Sequence, residues 1–193
     1  DEGTPTVLFD DVEGCPPGFR MLINWFTGTR KNLTLGFPED FNKLELSRGY
    51  NEHTKKLEPI PHEIIENGPV FENVLEGDEI DVTKFPAPLW NPEDGGRYIG
   101  TGCFIITRDP DTGWINCGTY RVMIHDEKRV ALYISPGKHG RIHRDKYMAK
   151  GEPMPVCIVV GTDPLSFLTS STEAPEGMCE LDMMGTYRGH AVE

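Results

Sequence analysis

The sequence predicts an α+β protein in two parts, residues 1–85 and 86–193. Three observations carry that prediction. β-rich stretches separated by sharp turn signals crowd residues 98–134. Helix-start signals flank them on both sides, at Pro38-Glu39-Asp40 and at Asp163-Pro164. Between lies Asp81-Val82-Thr83-Lys84-Phe85-Pro86-Ala87-Pro88, which suits no regular element and places a boundary between residues 78 and 94.

In chain order, Thr6-Val7-Leu8-Phe9 reads as a buried strand and Gly14 to Gly18 as a loop. Met21 to Phe26 is apolar but too short to separate strand from helix. Thr29 to Leu35 is followed by Gly36 and Pro38, the punctuation of a helix end. A helix then opens at Pro38, with Phe41, Leu44 and Tyr50 as its apolar stripe, and 51–61 is polar and exposed. Glu63 to Glu66 and Pro69 to Leu75 read as paired strands around Asn67-Gly68. Tyr98–Thr107, Trp114–Ile124 and Val130–Ile134 form an antiparallel meander, with a turn at Asp109-Pro110-Asp111-Thr112-Gly113. His139 to Lys150 is a helix covering the sheet with Ile142, Tyr147 and Met148. Pro155 to Val160 is a buried strand, and Asp163 caps the next helix with Pro164 in its first turn. Met178 to Met184 is a last helical segment, and Gly185 to Glu193 trails off.

The net charge is −12, the sequence pI about 4.9 and the mean hydropathy −0.42. Such a surface repels phosphate backbones, which excludes nucleic acid as a partner. An anionic cofactor needs a local cation. Five scattered cysteines with no CxxC pair point to reduced thiols and a cytoplasmic protein rather than a disulfide or thiolate-zinc framework. No apolar run reaches the roughly 18 residues of a membrane span. The absence of an opening methionine before Asp1-Glu2-Gly3 suggests an excised or processed piece.

The polar residues of interest are Asn116, His139 and Glu180. Taken singly, each has an ordinary reading: a strand-edge amide, a capping imidazole and a solvated helix-face acid. Together they offer amide oxygen, imidazole nitrogen and carboxylate oxygen, a set that suits Mg²⁺ or Mn²⁺ better than zinc. Ser170 and Ser171, in Thr169-Ser170-Ser171-Thr172, read either as a polar loop or as donors to an anion held by that metal. Arg121 is either an exposed strand arginine or a bidentate carboxylate anchor. Cys117 has no neighbouring base and reads as a buried thiol, Met183 and Met184 as core, and Lys55-Lys56 as a solvated turn. His143, one turn after His139, is expected to point away from the site or to cap locally.

Asn116-Cys117-Gly118-Thr119-Tyr120-Arg121, with Asp109 to Gly113 before it, resembles the UbiD family of prenylated-FMN-dependent decarboxylases. So do Asp94-Gly95-Gly96-Arg97-Tyr98-Ile99, Gly161-Thr162-Asp163-Pro164 and Leu8-Phe9-Asp10-Asp11-Val12-Glu13-Gly14. The resemblance implies a partial α/β N-terminal domain over 1–85 and a flavin-reductase-like split β-barrel, its C-terminal end missing, over 86–193. It implies that Asn116, His139 and Glu180 ligate the divalent metal gripping the cofactor phosphate. Trp114 and Ser170, with Glu180, would hold a potassium ion. Thr119 and Arg121 would line the flavin, with Lys138 beside it, and Arg121 would meet the substrate carboxylate. Trp90-Asn91-Pro92 departs from the family where relatives often carry a histidine, and nothing matches its further acidic pair, since Pro175-Glu176-Gly177 belongs to the turn before Glu180.

The function so implied is reversible decarboxylation of an aromatic or α,β-unsaturated acid, by a homo-oligomer or with a completing polypeptide. Two other readings compete. One is a non-catalytic cofactor-binding or assembly subunit. The other is a hydrolase using His139, Glu180 and Asp182 around a metal-activated water.

Overall fold

The computed structural model describes residues 4–56, 58–100 and 102–193. Helix and sheet are both present and largely segregated, as an α+β chain requires. Strands β1 (Val7–Phe9) and β2 (Met21–Ile23) form an antiparallel hairpin, with Leu8 opposite Leu22. The pair is not buried as expected: Leu8, Phe9 and Leu22 are all exposed. Asn24 ends β2 in the left-handed region (φ 56°), a conformation asparagine tolerates, and its Nδ2 donates to Pro5 O at 3.2 Å.

Helix α1 (Arg30–Thr34) is followed by α2 (Lys43–Thr54). The start of α2 is five residues later than Pro38 suggests. Asn42 and Glu45 form a reciprocal capping box, with Asn42 Oδ1 accepting from the N–H groups of Leu44 and Glu45 and Glu45 Oε2 accepting from Asn42 N–H. That pairing satisfies otherwise unpartnered N–H groups of the first turn of α2. The hairpin expected over 63–75 is absent: Pro69 has no N–H for a ladder, and Pro69–Phe71 is a 3-10 turn instead. Two more 3-10 turns, Gly77–Glu79 and Val82–Lys84, carry the chain to the second half.

There the long strands of the expected meander are each broken in two. Tyr98–Thr107 divides into β3 (Tyr98–Gly100) and β4 (Phe104–Arg108), with residue 101 outside the described residues. Trp114–Ile124 divides into β5 (Ile115–Gly118) and β6 (Arg121–Ile124). With β7 (Val130–Tyr133) and β8 (Val156–Val159) they make two antiparallel three-stranded sheets, ordered β3-β6-β7 and β5-β4-β8. The chain therefore crosses between sheets after β3, after β5 and after β7, and among the described residues the strands do not close into one barrel.

The breaks follow from packing. Cys103, Ile105 and Val122 form a fully buried cluster, joined by Ile99, Val130, Leu132 and Ile158, so both sheets contribute to one core. A continuous strand would belong to one sheet only. At the second crossing the Thr119 N–H leaves the ladder and donates to Ser170 O at 3.2 Å. Strand β8 is an edge strand with Val156 and Cys157 exposed, not the buried strand its apolar run suggests.

Three helices pack against these sheets. Helix α3 (His139–Lys150) ends at Gly151 in the left-handed region and contacts β4 and β5. Its buried residues are Gly140 and His143, while Ile142 and Met148 are exposed, so its packed face differs from the one expected. Helix α4 (Pro164–Ser171) is capped by Asp163, whose Oδ1 accepts from Leu165 and Ser166 N–H. It takes in Ser170 and Ser171, the stretch left open as a loop. Helix α5 (Glu180–Arg188) runs into the segment expected to trail off. Residues 58–63 lie along α5, with Ile60 N–H donating to Asp182 O at 3.3 Å and Thr186 Oγ1 donating to Glu58 O at 2.8 Å. No helix among the described residues is long and apolar enough to cross a membrane.

Candidate functional site

The ends of three helices and the last residues of β5 surround a cavity of about 160 Å³. Asn116, Cys117, Gly118, Thr119 and Tyr120 line one side, and Lys138, His139, Ser170, Ser171, Thr172, Glu173 and Glu180 the rest. Asn116 reaches it because β4 and β5 pair in the register Thr107↔Asn116, which sets the two side chains on one face. Its Nδ2 donates to Tyr120 Oη at 3.3 Å and approaches Thr107 Oγ1 at 3.5 Å. With the nitrogen side of the amide engaged by protein, Asn116 Oδ1 receives no donor among the described residues.

Glu180 opens α5 and is only 2% exposed. Its Oε2 accepts from Cys117 N–H at 2.7 Å. Burial pushes its carboxyl up to about 7, only partly offset by that N–H and its own. A buried acid so perturbed lacks a cation partner in the protein. His139 opens α3, and its ring meets the Trp114 indole edge-on at 4.8 Å. Trp114 in turn donates from Nε1 to Met178 O at 3.0 Å, and the same indole stands edge-on to His143 at 4.9 Å. Trp114 thus holds the His139 ring from behind and does not line this cavity.

The hydroxyls of Ser170 and Ser171 both donate to Phe167 O, at 3.0 and 2.7 Å. Each has one proton and has used it, so what they turn to the cavity is lone pairs. In that arrangement the hydroxyl oxygens suit a cation. Lys138 Nζ pairs with Glu173 Oε2 at 3.0 Å, half exposed at the mouth. His139 and Glu180 begin their helices, so two positive dipole ends adjoin the cavity and favour an anion there. Amide oxygen, imidazole nitrogen and carboxylate oxygen, with hydroxyl oxygens nearby, are a donor set for a hard divalent ion that retains open positions. At this volume the cavity takes a metal-bound phosphate but not a flavin ring system.

Thr119 lines the cavity but Arg121 does not. Arg121 starts β6, is exposed, and lies over the Tyr133 ring with its guanidinium carbon 5.8 Å from the centroid. No carboxylate pairs with it among the described residues. Asp182 is not part of this cavity; it bonds His62 Nδ1 at 2.7 Å, so the trio His139, Glu180 and Asp182 is not brought together for hydrolysis.

His143, expected to point away from the site or cap locally, does not line this cavity and is fully buried. Its Nδ1 meets Thr107 Oγ1 at 2.9 Å, and burial lowers its pKa. Its Nε2 has no hydrogen-bond partner among the described residues; Asp109 Oδ2 lies 3.8 Å away. Cys117 is buried as expected, and the adjacent Cys179 thiol together with burial pushes its pKa up. The residue that sequence reasoning missed is Tyr120. Its Oη accepts from Asn116 Nδ2 and from Gly140 N–H, each at 3.3 Å, tying β5 to the start of α3. The ring fits only because Gly118 and Gly140 lack side chains: a Cβ would come within 2.4 Å and 2.9 Å of Tyr120 atoms.

The UbiD family model, described as the 3-octaprenyl-4-hydroxybenzoate carboxy-lyase Rift-related domain, matches residues 63–193. The chain is 31% identical to the pyrrole-2-carboxylic acid decarboxylase of Pseudomonas aeruginosa over 98% of its own length and 40% of the relative's. It is 30% identical to ferulic acid decarboxylase 1 of Saccharomyces cerevisiae, over 99% of this chain and 38% of that one. Among solved structures, the vanillic acid decarboxylase of Sedimentibacter hydroxybenzoicus in closed form superposes with a TM-score of 0.83 at 25% identity, covering 97% of this chain and 40% of that one. An evolved dimeric form of the UbiD-class enzyme HmfF from Pelotomaculum thermopropionicum, in complex with prFMN, shares the fold with a TM-score of 0.82 at 22% identity, covering 96% of this chain and 42% of that one. The chain spans about two fifths of the length of these relatives.

Proposed function

The chain belongs to the UbiD family, and from that premise we propose that it forms the cofactor-binding part of a prenylated-FMN-dependent, reversible, non-oxidative decarboxylase. The observation that supports this most directly is the convergence of Asn116, His139 and Glu180 on one small cavity flanked by two helix N-termini. In this reading Asn116 Oδ1, the His139 imidazole and the Glu180 carboxylate hold Mn²⁺ or Mg²⁺, which takes up the cofactor phosphate. The Ser170 and Ser171 oxygens, with Glu180, suit K⁺ beside it. Trp114, implied as a potassium contact by resemblance, also braces the His139 ring.

When bound, prenylated FMN supplies the electron sink that loss of CO₂ requires. The protein residues bind and orient. Arg121, unpaired and supported on Tyr133, presents a planar guanidinium to the substrate carboxylate in an otherwise anionic protein. The substrate class is an aromatic or α,β-unsaturated acid, following relatives named for pyrrole-2-carboxylic and ferulic acids. The proton returned to the product carbon is assigned to an acid in the part of the longer relatives that this chain does not span, or to a partner polypeptide. The division near residue 85 belongs to the same reading.

The test is CO₂ release from pyrrole-2-carboxylate and ferulate by the full-length protein loaded with prenylated FMN. Arg121→Ala should lower turnover about 100-fold or more while flavin binding persists. Undiminished turnover in that variant would remove Arg121 from the reaction. Flavin binding with turnover only after a second polypeptide is added would favour the subunit reading, since no carboxylate stands beside Arg121 among the described residues.

A further inference from the structure

A second convergence of metal-binding side chains lies on α5, outside the site above. Cys179 and Asp182 are three residues apart at the start of the helix and share a face. His62 comes from the segment 58–63, more than a hundred residues away in sequence. One ligand atom from each of His62, Cys179 and Asp182 lies within 4.8 Å of the other two. The arrangement is held by the backbone. His62 N–H donates to Asp182 Oδ1 at 2.9 Å, Ile60 N–H donates to Asp182 O, and Thr186 Oγ1 joins Glu58 O to the helix. His62 and Cys179 border a cavity of about 680 Å³ that also reaches Trp114 and Lys146.

We infer that His62, Cys179 and Asp182 form a metal centre for a borderline divalent ion of the Zn²⁺ type, distinct from the Asn116, His139 and Glu180 set. Sulfur, imidazole nitrogen and carboxylate oxygen are the ligand types zinc accepts, and a thiolate ligand disfavours Mg²⁺ and Ca²⁺. One thiolate and one carboxylate balance the charge of the ion. Three protein ligands leave a fourth tetrahedral position, which water fills from the adjoining cavity. Little movement is needed. The His62 Nδ1 to Asp182 Oδ1 contact is 2.7 Å. Zinc bonds of about 2.0–2.3 Å at tetrahedral angles put ligand atoms roughly 3.3–3.7 Å apart, so this pair opens slightly and Cys179 Sγ closes in. The two centres share no residue, and Glu180, next to Cys179 in sequence, directs its carboxylate to Cys117 N–H instead.

Co²⁺ titration of the full chain tests this. A bound thiolate produces a near-ultraviolet charge-transfer band, and one equivalent of Zn²⁺ should abolish it. Cys179→Ser should eliminate the band, His62→Gln should weaken Co²⁺ binding about tenfold or more, and Glu180→Gln should leave the band intact. A second readout needs no variant: Zn²⁺ should slow iodoacetamide labelling of Cys179 at least about tenfold, read by peptide mass, with exposed Cys157 unaffected. The proposal fails if no thiolate band appears, if the band survives Cys179→Ser or vanishes in Glu180→Gln, or if Zn²⁺ leaves Cys179 labelling unchanged. Neither readout involves flavin, so the outcome is separate from that of the decarboxylase reading.

Discussion

The Tyr120 hydroxyl joins two parts of the site at once, accepting from the amide of Asn116 and from the N–H of Gly140. Both contacts are long, so their net stabilisation is modest, but they decide which way the Asn116 amide faces. Tyr120→Phe should cost about 1 kcal/mol of stability and weaken Mn²⁺ binding about tenfold, measured by thermal melts and calorimetric titration. Unchanged Mn²⁺ affinity would show that Asn116 is oriented by other means. Asp109 offers a pH-dependent test at the same scale. Burial raises its pKa, yet the Lys146 ammonium and the N–H groups of Asp111 and Thr112 outweigh that and hold it at about 2. Its unfolded value is near 3.8, so the stabilisation is full above about pH 4 and is lost as pH falls towards 2. Asp109→Asn should lower stability at pH 7 and flatten the acid-unfolding curve in that window. A variant with the acid sensitivity of the parent would contradict this. Tyr120 was not legible in the sequence, because a tyrosine near a strand end reads as an ordinary β-former and its value depends on two glycines twenty-two residues apart meeting in space.

Elements with local signals were the legible ones. Helix α3 begins and ends where residues 139–150 were expected, and Asp163 with Pro164 announces α4, because caps and prolines act on their immediate neighbours. The breaks inside 98–107 and 114–124 were not legible, since each piece remains a good β sequence. Only the shared Cys103, Ile105 and Val122 cluster dictates that the chain change sheets. The Asn67-Gly68 pair signals a hairpin over 63–75, but Pro69 lacks the N–H a ladder needs and opens a 3-10 turn there. The junction of β5 and α3 makes its own prediction. Gly140→Ala would place a methyl 2.9 Å from the Tyr120 ring at a buried helix end. The variant should lose about 1–3 kcal/mol of stability by denaturant unfolding, although alanine is the better helix former. A gain in stability would mean that Tyr120 moves aside freely.

At the scale of the whole molecule, the acidic surface makes a cation the natural means of holding an anionic cofactor tail, the role proposed for residues 116, 139 and 180. Family membership is consistent with that role, and in the proposed reading the flavin ring would lie outside a cavity of about 160 Å³. The sequence grouped Asn116, His139 and Glu180 by chemistry, and in the fold they line one cavity. It separated none of them from Trp114, which sits behind the imidazole, or from Arg121, which lies one step along the chain on the next strand. The most direct measurement compares FMN with riboflavin, identical in ring but lacking the phosphate, binding to the full chain with and without Mn²⁺ by flavin fluorescence. A metal-fastened phosphate predicts that Mn²⁺ tightens FMN at least about tenfold, leaves riboflavin unaffected, and has no effect in Glu180→Gln. Equal binding of the two flavins, or FMN binding indifferent to Mn²⁺, would contradict it.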